Sequence, residues 1–342
     1  MSMSSRTVLV TGGAGYVGSR LVPELQSAGY GVRVLDTCWY GLPEERKGDE
    51  SSGFSLVVGD IRDPDVVSQA LEGITDVIHL ACISNDPSYD LDPELGKSIN
   101  LDAFRPLVKR AKDSGVSRFI YASSSSVYGV KKEEKVTEDL GLEPLTDYSR
   151  FKADCEDILM GEREPGFVTT TLRPATICGP APRQRMDLTV NLLTNHAYNS
   201  GAIRVFGGDQ YRPNLHIQDM CRAYIEVLNQ NPENIDGQVF NVGTDNFTVM
   251  QIAEKVKDIV EKKVELIVES SPDNRSYRIS SDRIADRLGF FPLFTVGDAI
   301  RDLLEWFDRG MFPDAMNDSR YFNIARMQEI IPELAKNESS QT

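Results

Sequence analysis

Tyr148 and Lys152 stand four residues apart in Tyr148-Ser149-Arg150-Phe151-Lys152. On a helix that spacing puts both side chains on one face. A tyrosine hydroxyl ordinarily titrates at about 10. A neighbouring ammonium favours its phenolate, and a phenolate can take the proton of an alcohol. Ser124 follows the apolar run Arg118 to Ala122 and is placed to hydrogen-bond the same hydroxyl. A Tyr-x-x-x-Lys spacing is common on helices, so the set gains its meaning from what precedes it in the chain.

What precedes it is a glycine loop. Thr7-Val8-Leu9-Val10 reads as a strand and runs into Thr11-Gly12-Gly13-Ala14-Gly15-Tyr16-Val17-Gly18. Gly12, Gly15 and Gly18 let a tight turn bring backbone close to a pyrophosphate. A helix starting near Tyr16 and Val17 then directs its N-terminal N–H groups at the phosphates. Asp36 closes the second strand, where a carboxylate accepts from both adenosine ribose hydroxyls and repels a 2′-phosphate. Thr37-Cys38-Trp39 follow it, with no Arg, so the expected cofactor is NAD and not NADP. Asp60 and Ile61, after the third strand, are expected at the adenine edge. With NAD bound, the oxidised ring adds a second positive charge favouring the Tyr148 phenolate, and hydride leaves as Tyr148 takes the proton. Pro23 falls inside the first helix and predicts a kink or a short first segment.

The elements that must carry these residues are legible as alternation. Short β-branched runs at Val32 to Leu35, Phe54 to Val58, Asp76 to Leu80, Arg118 to Ala122 and Phe167 to Leu172 are separated by helical stretches such as Leu95 to Ala111. This predicts an α/β fold, a Rossmann-type doubly wound parallel sheet. After Pro174 the texture changes. Helices are expected at Asp187 to Tyr198, Val249 to Val260, Val296 to Phe307 and Ile324 to Ile331, with short strands near Ile203 and Gln238. We therefore expect a cofactor domain over residues 1–173, with a return segment near 216–247. A smaller mixed α/β lobe is expected over 174–215 and 248–342. Asn100 is expected to open the long helix, either as its N-cap or at the cofactor.

The chain has 342 residues and a formal net charge of -15. Such a chain is a poor general binder of nucleic acid or anionic membrane, so an anionic ligand needs a local cluster of Arg or Lys. The five cysteines include no CxxC pair, which argues against a disulfide framework and a zinc site and for thiols kept reduced. No metal is expected. The polar start shows no signal-peptide pattern, and no apolar run approaches the roughly 18 residues of a membrane span. The expectation is a cytoplasmic protein.

Taken together, Thr11 to Gly18, Gly59-Asp60-Ile61, His79-Leu80-Ala81, Ser123 to Gly129, Tyr148 to Lys152, Leu172-Arg173-Pro174 and Arg212 to Asp219 resemble the extended short-chain dehydrogenases/reductases of the nucleotide-sugar epimerase and dehydratase group. The resemblance implies bound NAD and a Ser124-Tyr148-Lys152 site. It places Leu80, Ala81, Asn100 and Pro174 at the cofactor. It also implies a homodimer built on the helix after Asn100 and the helix of Tyr148.

Related 4,6-dehydratases carry an Asp-Glu pair after the serine, and related decarboxylases a Glu before Val-Tyr-Gly. This chain has Ser125-Ser126-Val127-Tyr128-Gly129. What remains is oxidation and return of hydride, the chemistry of a 4-epimerase on a nucleotide-diphosphate sugar. Net dehydrogenation or reduction, elimination, and a non-catalytic dinucleotide sensor stay as alternatives. The resemblance points to Asn191 and Arg212 for the diphosphate, with Ser125 at the sugar. A second arginine comes from Arg275 or Arg278. Arg183 and Arg185 are further anion candidates, each alone readable as a surface charge. His216 is expected to pack or hydrogen-bond and not to act as a base.

Overall fold

The computed structural model describes residues 6–41, 54–270 and 276–339. Twelve strands occur among them: β1 Thr7–Thr11, β2 Gly31–Asp36, β3 Phe54–Val58, β4 Asp76–His79, β5 Arg118–Ala122, β6 Val168–Pro174, β7 Thr176–Cys178, β8 Ala202–Phe206, β9 Tyr211–His216, β10 Gln238–Val242, β11 Asp245–Thr248 and β12 Glu265–Glu269. Seven form one sheet in the order β10-β6-β5-β4-β1-β2-β3, and all its pairings are parallel. The strand order reverses beside β1, which makes the carboxyl ends of β1 and β4 the switch point where ligands bind such sheets. Two small sheets lie outside it, β11-β9-β7 and the pair β12-β8.

Side chains alternate across the sheet, and each face has its own cover. Val8, Val10, Val32 and Val34 pack with Leu21, Val22 and Leu25 of helix Tyr16–Ser27 and with helix Ile217–Asn229. Leu9, Leu35, Val77 and Phe119 face helices Pro64–Leu71, Phe104–Asp113 and Asp147–Gly161. Helix Asn323–Ser339 adds Met327 and Ile330 to that second core.

Two local expectations are corrected. The first helix runs unbroken from Tyr16 to Ser27 with Pro23 inside it, so it is not a short segment. Its buried Leu21, Val22 and Leu25, and the Arg20–Gln218 hydrogen bonds at 2.6 and 2.9 Å, hold it across the missing N–H. The stretch Leu95 to Ala111 is not one helix. It divides into Pro93–Lys97, a π-helical turn Ser98–Asp102 and Phe104–Asp113. Asn100 sits inside the π turn and is not an N-cap. Among the described residues no helix is long and apolar enough to cross a membrane.

His79 ends β4 beneath the switch point, stacked on Tyr121 with its Nδ1 2.7 Å from the Thr11 Oγ1. Burial, with the Lys152 charge adding, pushes this imidazole down to about 3. The folded value lies below the ordinary one, so its contribution to stability is whole above pH ~6.5 and falls as pH drops, by roughly 1.4 kcal/mol per unit. Between pH 7 and pH 5 the wild type should therefore lose about 2 kcal/mol more stability in urea unfolding than His79→Gln does. Equal losses would show that His79 is not a source of acid lability.

Candidate active site

The site is built on strand ends. β1 delivers the glycine loop, whose turn closes through Gly15 N donating to Gly12 O at 3.1 Å. Gly12 has φ +73°, and a Cβ there would lie 2.7 Å from Ala81 N. Gly18 has no room either, since a Cβ would lie 2.5 Å from Gly13 Cα. Side chains at these positions would collide with neighbouring backbone. The tight turn and close helix packing that bring a loop up to a pyrophosphate therefore need glycine here, and the loop fits the cofactor expected from it. The helix from Tyr16 presents its first N–H groups, which have no intrahelical acceptors.

Asp36 at the end of β2 accepts from Ala14 N at 2.9 Å and Cys38 N at 2.7 Å. One carboxylate thus braces the glycine loop and faces the cleft. Burial raises its pKa, and the two backbone donors pull against that rise. Its remaining lone pairs are what a ribose diol would meet. Asp60 is held by Arg62 at 2.7 Å.

Helix Asp147–Gly161 starts where it does because Thr146 and Ser149 form a capping box. Tyr148 therefore lies in the first turn and Lys152 one turn on. Lys152 Nζ donates to Ala122 O, the last residue of β5, at 2.7 Å, and lies 5.8 Å from the centre of the Tyr148 ring. Ser124, just past β5, accepts from Ser126 N at 3.1 Å and from Ser126 Oγ at 2.8 Å, which leaves its own hydrogen to donate. The expected lowering of the phenol by Lys152 is not what the protein shows by itself. Burial raises Tyr148 well above its ordinary value, Cys82 and Asp86 add to the rise, and Arg185 opposes it. The free protein holds Tyr148 as a phenol.

One cleft of about 640 Å³ gathers these groups. Its wall includes Gly12, Gly15, Tyr16, Val17, Gly18 and Asp36, then Asp60, Ile61, Leu80 and Ala81, then Ser124, Ser125, Tyr148, Lys152 and Pro174. Arg212 of β9 also lines it, and Ser125 Oγ lies 3.4 Å from Tyr277 OH.

Two expected residues are elsewhere. Asn191 is fully buried and absent from the wall. Its Oδ1 accepts from Gly179 N at 2.9 Å, and its Nδ2 donates to Arg185 O at 2.8 Å and Tyr16 OH at 3.1 Å. With both amide hydrogens used inside the fold, it has no donor to offer a diphosphate. Asn100 is likewise outside the wall. Its amide clasps Ile83, Oδ1 accepting from N at 2.8 Å and Nδ2 donating one hydrogen to O at 2.9 Å. Arg275 lies outside the described residues, and Arg278 stacks on Tyr211 at 4.8 Å. His216 caps helix Ile217–Asn229 through Gln218 N and stacks on Phe294.

The cleft also contains residues that no motif singled out. Tyr40, Cys82, Ile324 and Met327 line it. Asn323 bridges across it by donating to Ser84 Oγ at 3.0 Å, 239 positions away in the chain. Arg326 reaches Trp39 O at 2.7 Å. No local pattern signals such contacts. Among the described residues no group of three His, Cys, Asp or Glu could hold a metal ion.

Comparison with known proteins gives a concordant result. A family model described as the NAD dependent epimerase/dehydratase family matches residues 8–243. A UDP-glucose 4-epimerase of Lactobacillus helveticus is 30% identical over 274 residues, 74% of this chain and 82% of its own. The UDP-glucuronic acid 4-epimerase of Bacillus cereus, solved with UDP-glucuronic acid and NAD, superposes with a TM-score of 0.79 at 26% identity, over 89% of this chain and 99% of that one. MoeE5, solved with UDP-glucose and NAD, gives 0.78 at 26% identity over the same shares.

Proposed function

The chain belongs to the NAD-dependent epimerase/dehydratase family, and from that premise we propose that it is a nucleotide-sugar epimerase acting at C4 through a transient keto sugar. NAD supplies a reversible hydride acceptor. Asp36 and the first turn from Tyr16 hold the dinucleotide. Ser124 donates to the reacting oxygen, and Tyr148 takes its proton and later returns it. Lys152, fixed by Ala122 O, supplies the positive charge that a phenolate at Tyr148 needs.

The observation that carries the reading is the composition of the wall beside Ser124. Ser125 and Ser126 stand there and line the cleft; both are hydroxyls, which are poor acids and bases for removing water from a sugar. Hydride transfer out and back needs only the groups already present. The substrate class, a sugar on a nucleoside diphosphate, is supported by the UDP-sugars in the Bacillus cereus and MoeE5 complexes, with Arg212 and Ser125 as its contacts here. The same reading takes the chain as a homodimer through helices Phe104–Asp113 and Asp147–Gly161.

The test uses the purified protein with no cofactor added. Denatured, it should release close to one NAD per chain. Incubated with UDP-glucose, UDP-galactose or UDP-glucuronic acid, it should invert C4 of at least one, resolved by anion-exchange chromatography and proton NMR. Stoichiometric reduction of external NAD without inversion would replace this reading with net dehydrogenation.

A further inference from the structure

Arg183 belongs by sequence to the segment expected to serve the substrate, yet its surroundings belong to the cofactor half of the cleft. Tyr16 OH donates to Gly179 O at 2.6 Å, and Arg183 N donates to Ser19 Oγ at 3.0 Å. These bonds lay the loop Gly179 to Arg183 along the first turn of the helix that follows the glycine loop. The side chain, 7% exposed, lines the cleft. Its guanidinium carbon lies 3.9 Å from the centre of the Tyr40 ring, and Nη2 donates to Asn323 Oδ1 at 2.8 Å.

What it lacks is compensation. Arg183 Nε is buried with no hydrogen-bond partner. Asp36 and Asp187 act on it only through their fields. Its neighbour Arg185 pairs with Asp187, and Arg204 across the cleft pairs with Glu269. A buried cation without an anion is costly, and burial accordingly pushes Arg183 down to about 10. An anion held at the adjacent helix N-terminus would relieve that cost and take a charge-assisted bond.

We infer that Arg183 is a binding residue for the diphosphate of the dinucleotide, reaching it from the loop laid along the first turn of the helix after the glycine loop. Asp36 and Tyr40 set its place at the cofactor and not at the sugar nucleotide. The substrate-lobe loop thereby becomes part of the cofactor site.

The test separates phosphate from nucleoside. Binding of NAD, ADP, adenosine and UDP to the full chain freed of cofactor is measured by calorimetry in wild type, Arg183→Met and Arg183→Lys. Arg183→Met should weaken NAD and ADP by 10- to 100-fold and leave adenosine within about twofold, and Arg183→Lys should recover most of the loss. Equal weakening of adenosine and ADP would make Arg183 a structural residue. Loss of UDP binding with ADP unchanged would assign it to the substrate. Either result overturns the inference without touching the epimerase reading, which is judged on inversion at C4. If Arg183→Met does not fold, Asn323→Ala removes the acceptor that aims the guanidinium while keeping its charge. It should lower ADP affinity three- to tenfold and spare adenosine, and an unchanged ADP affinity would sink the idea.

Discussion

Replacing Tyr148 by Phe should lower kcat for sugar isomerisation by roughly 10³-fold, within the range for loss of a positioned general base, while NAD stays bound. The substitution removes one oxygen and leaves the ring, so the shape of the cleft wall is kept. Lys152 retains its bond to Ala122 O, so the ammonium stays in place but has no acid to act upon. Because burial raises the phenol, wild-type kcat/KM should climb with pH through the neutral range as the proton becomes easier to remove. The Phe variant should lose that climb. NAD counted per chain after denaturation separates chemistry from binding. A variant with full activity would remove Tyr148 from the reaction, and one empty of NAD would make it a cofactor contact first.

The largest loss of stability should come from Arg173→Met. Arg173, at the end of β6, is 5% exposed, and it forks onto Glu156 with bonds of 2.6 to 3.1 Å. It also donates to Tyr128 OH at 2.8 Å. Ser123 Oγ donates to the same Glu156, and Tyr128 OH donates on to Asn241 Oδ1. Burial disfavours the Arg173 charge, but Glu156, with Tyr128 adding, more than offsets this and leaves the guanidinium raised above its ordinary value. Removing the arginine strands a carboxylate in the interior, which costs about 3–5 kcal/mol. The measurement is the urea midpoint of the purified protein. Adding Glu156→Gln to the single variant should restore most of the loss, because the stranded charge goes with it. A single variant within 1 kcal/mol of wild type, or a double variant no better than the single, would mean that the pair is not a unit. Glu156 lies one turn beyond Lys152 and Ser123 directly precedes Ser124, so the network ties together the two elements that carry the proposed chemistry.

The parts of the site that could be read from the chain are those written in short spacings. The glycine loop, Asp36 at a strand end, and Tyr148 with Lys152 each need only a handful of consecutive residues and one element type. Asn100 and Asn191 show where such reading stops. An asparagine amide bonds equally well to a ligand or to backbone, and spacing does not say which is nearer. Here the loop at Ile83 clasps the Asn100 amide, and Gly179, Arg185 and Tyr16 hold that of Asn191. Pro23 was legible as a helix breaker, but its consequence depended on Leu21, Val22 and Leu25 being buried on a partner helix. The rise of the Tyr148 phenol was hidden for the same reason. A local charge argument names Lys152, whereas desolvation depends on what the whole fold stacks above the ring. Tyr40, Asn323 and Met327 had no signal at all, since their place in the cleft is set by chain segments hundreds of residues apart.

Helix Asn323–Ser339, docked on Ser84 and Trp39, has a consequence for the order in which this protein can become functional. During synthesis the glycine loop leaves the ribosome about 300 residues before Asn323, Ile324 and Met327. Through that interval the nascent chain therefore has a dinucleotide groove that lacks one wall. The cofactor can be fully enclosed only once helix Asn323–Ser339 has been made and docks over segments made some 240 residues earlier. A fragment ending near residue 173 would carry every motif of the glycine loop and the Ser124-Tyr148-Lys152 set, and would still hold the cofactor in a half-built groove.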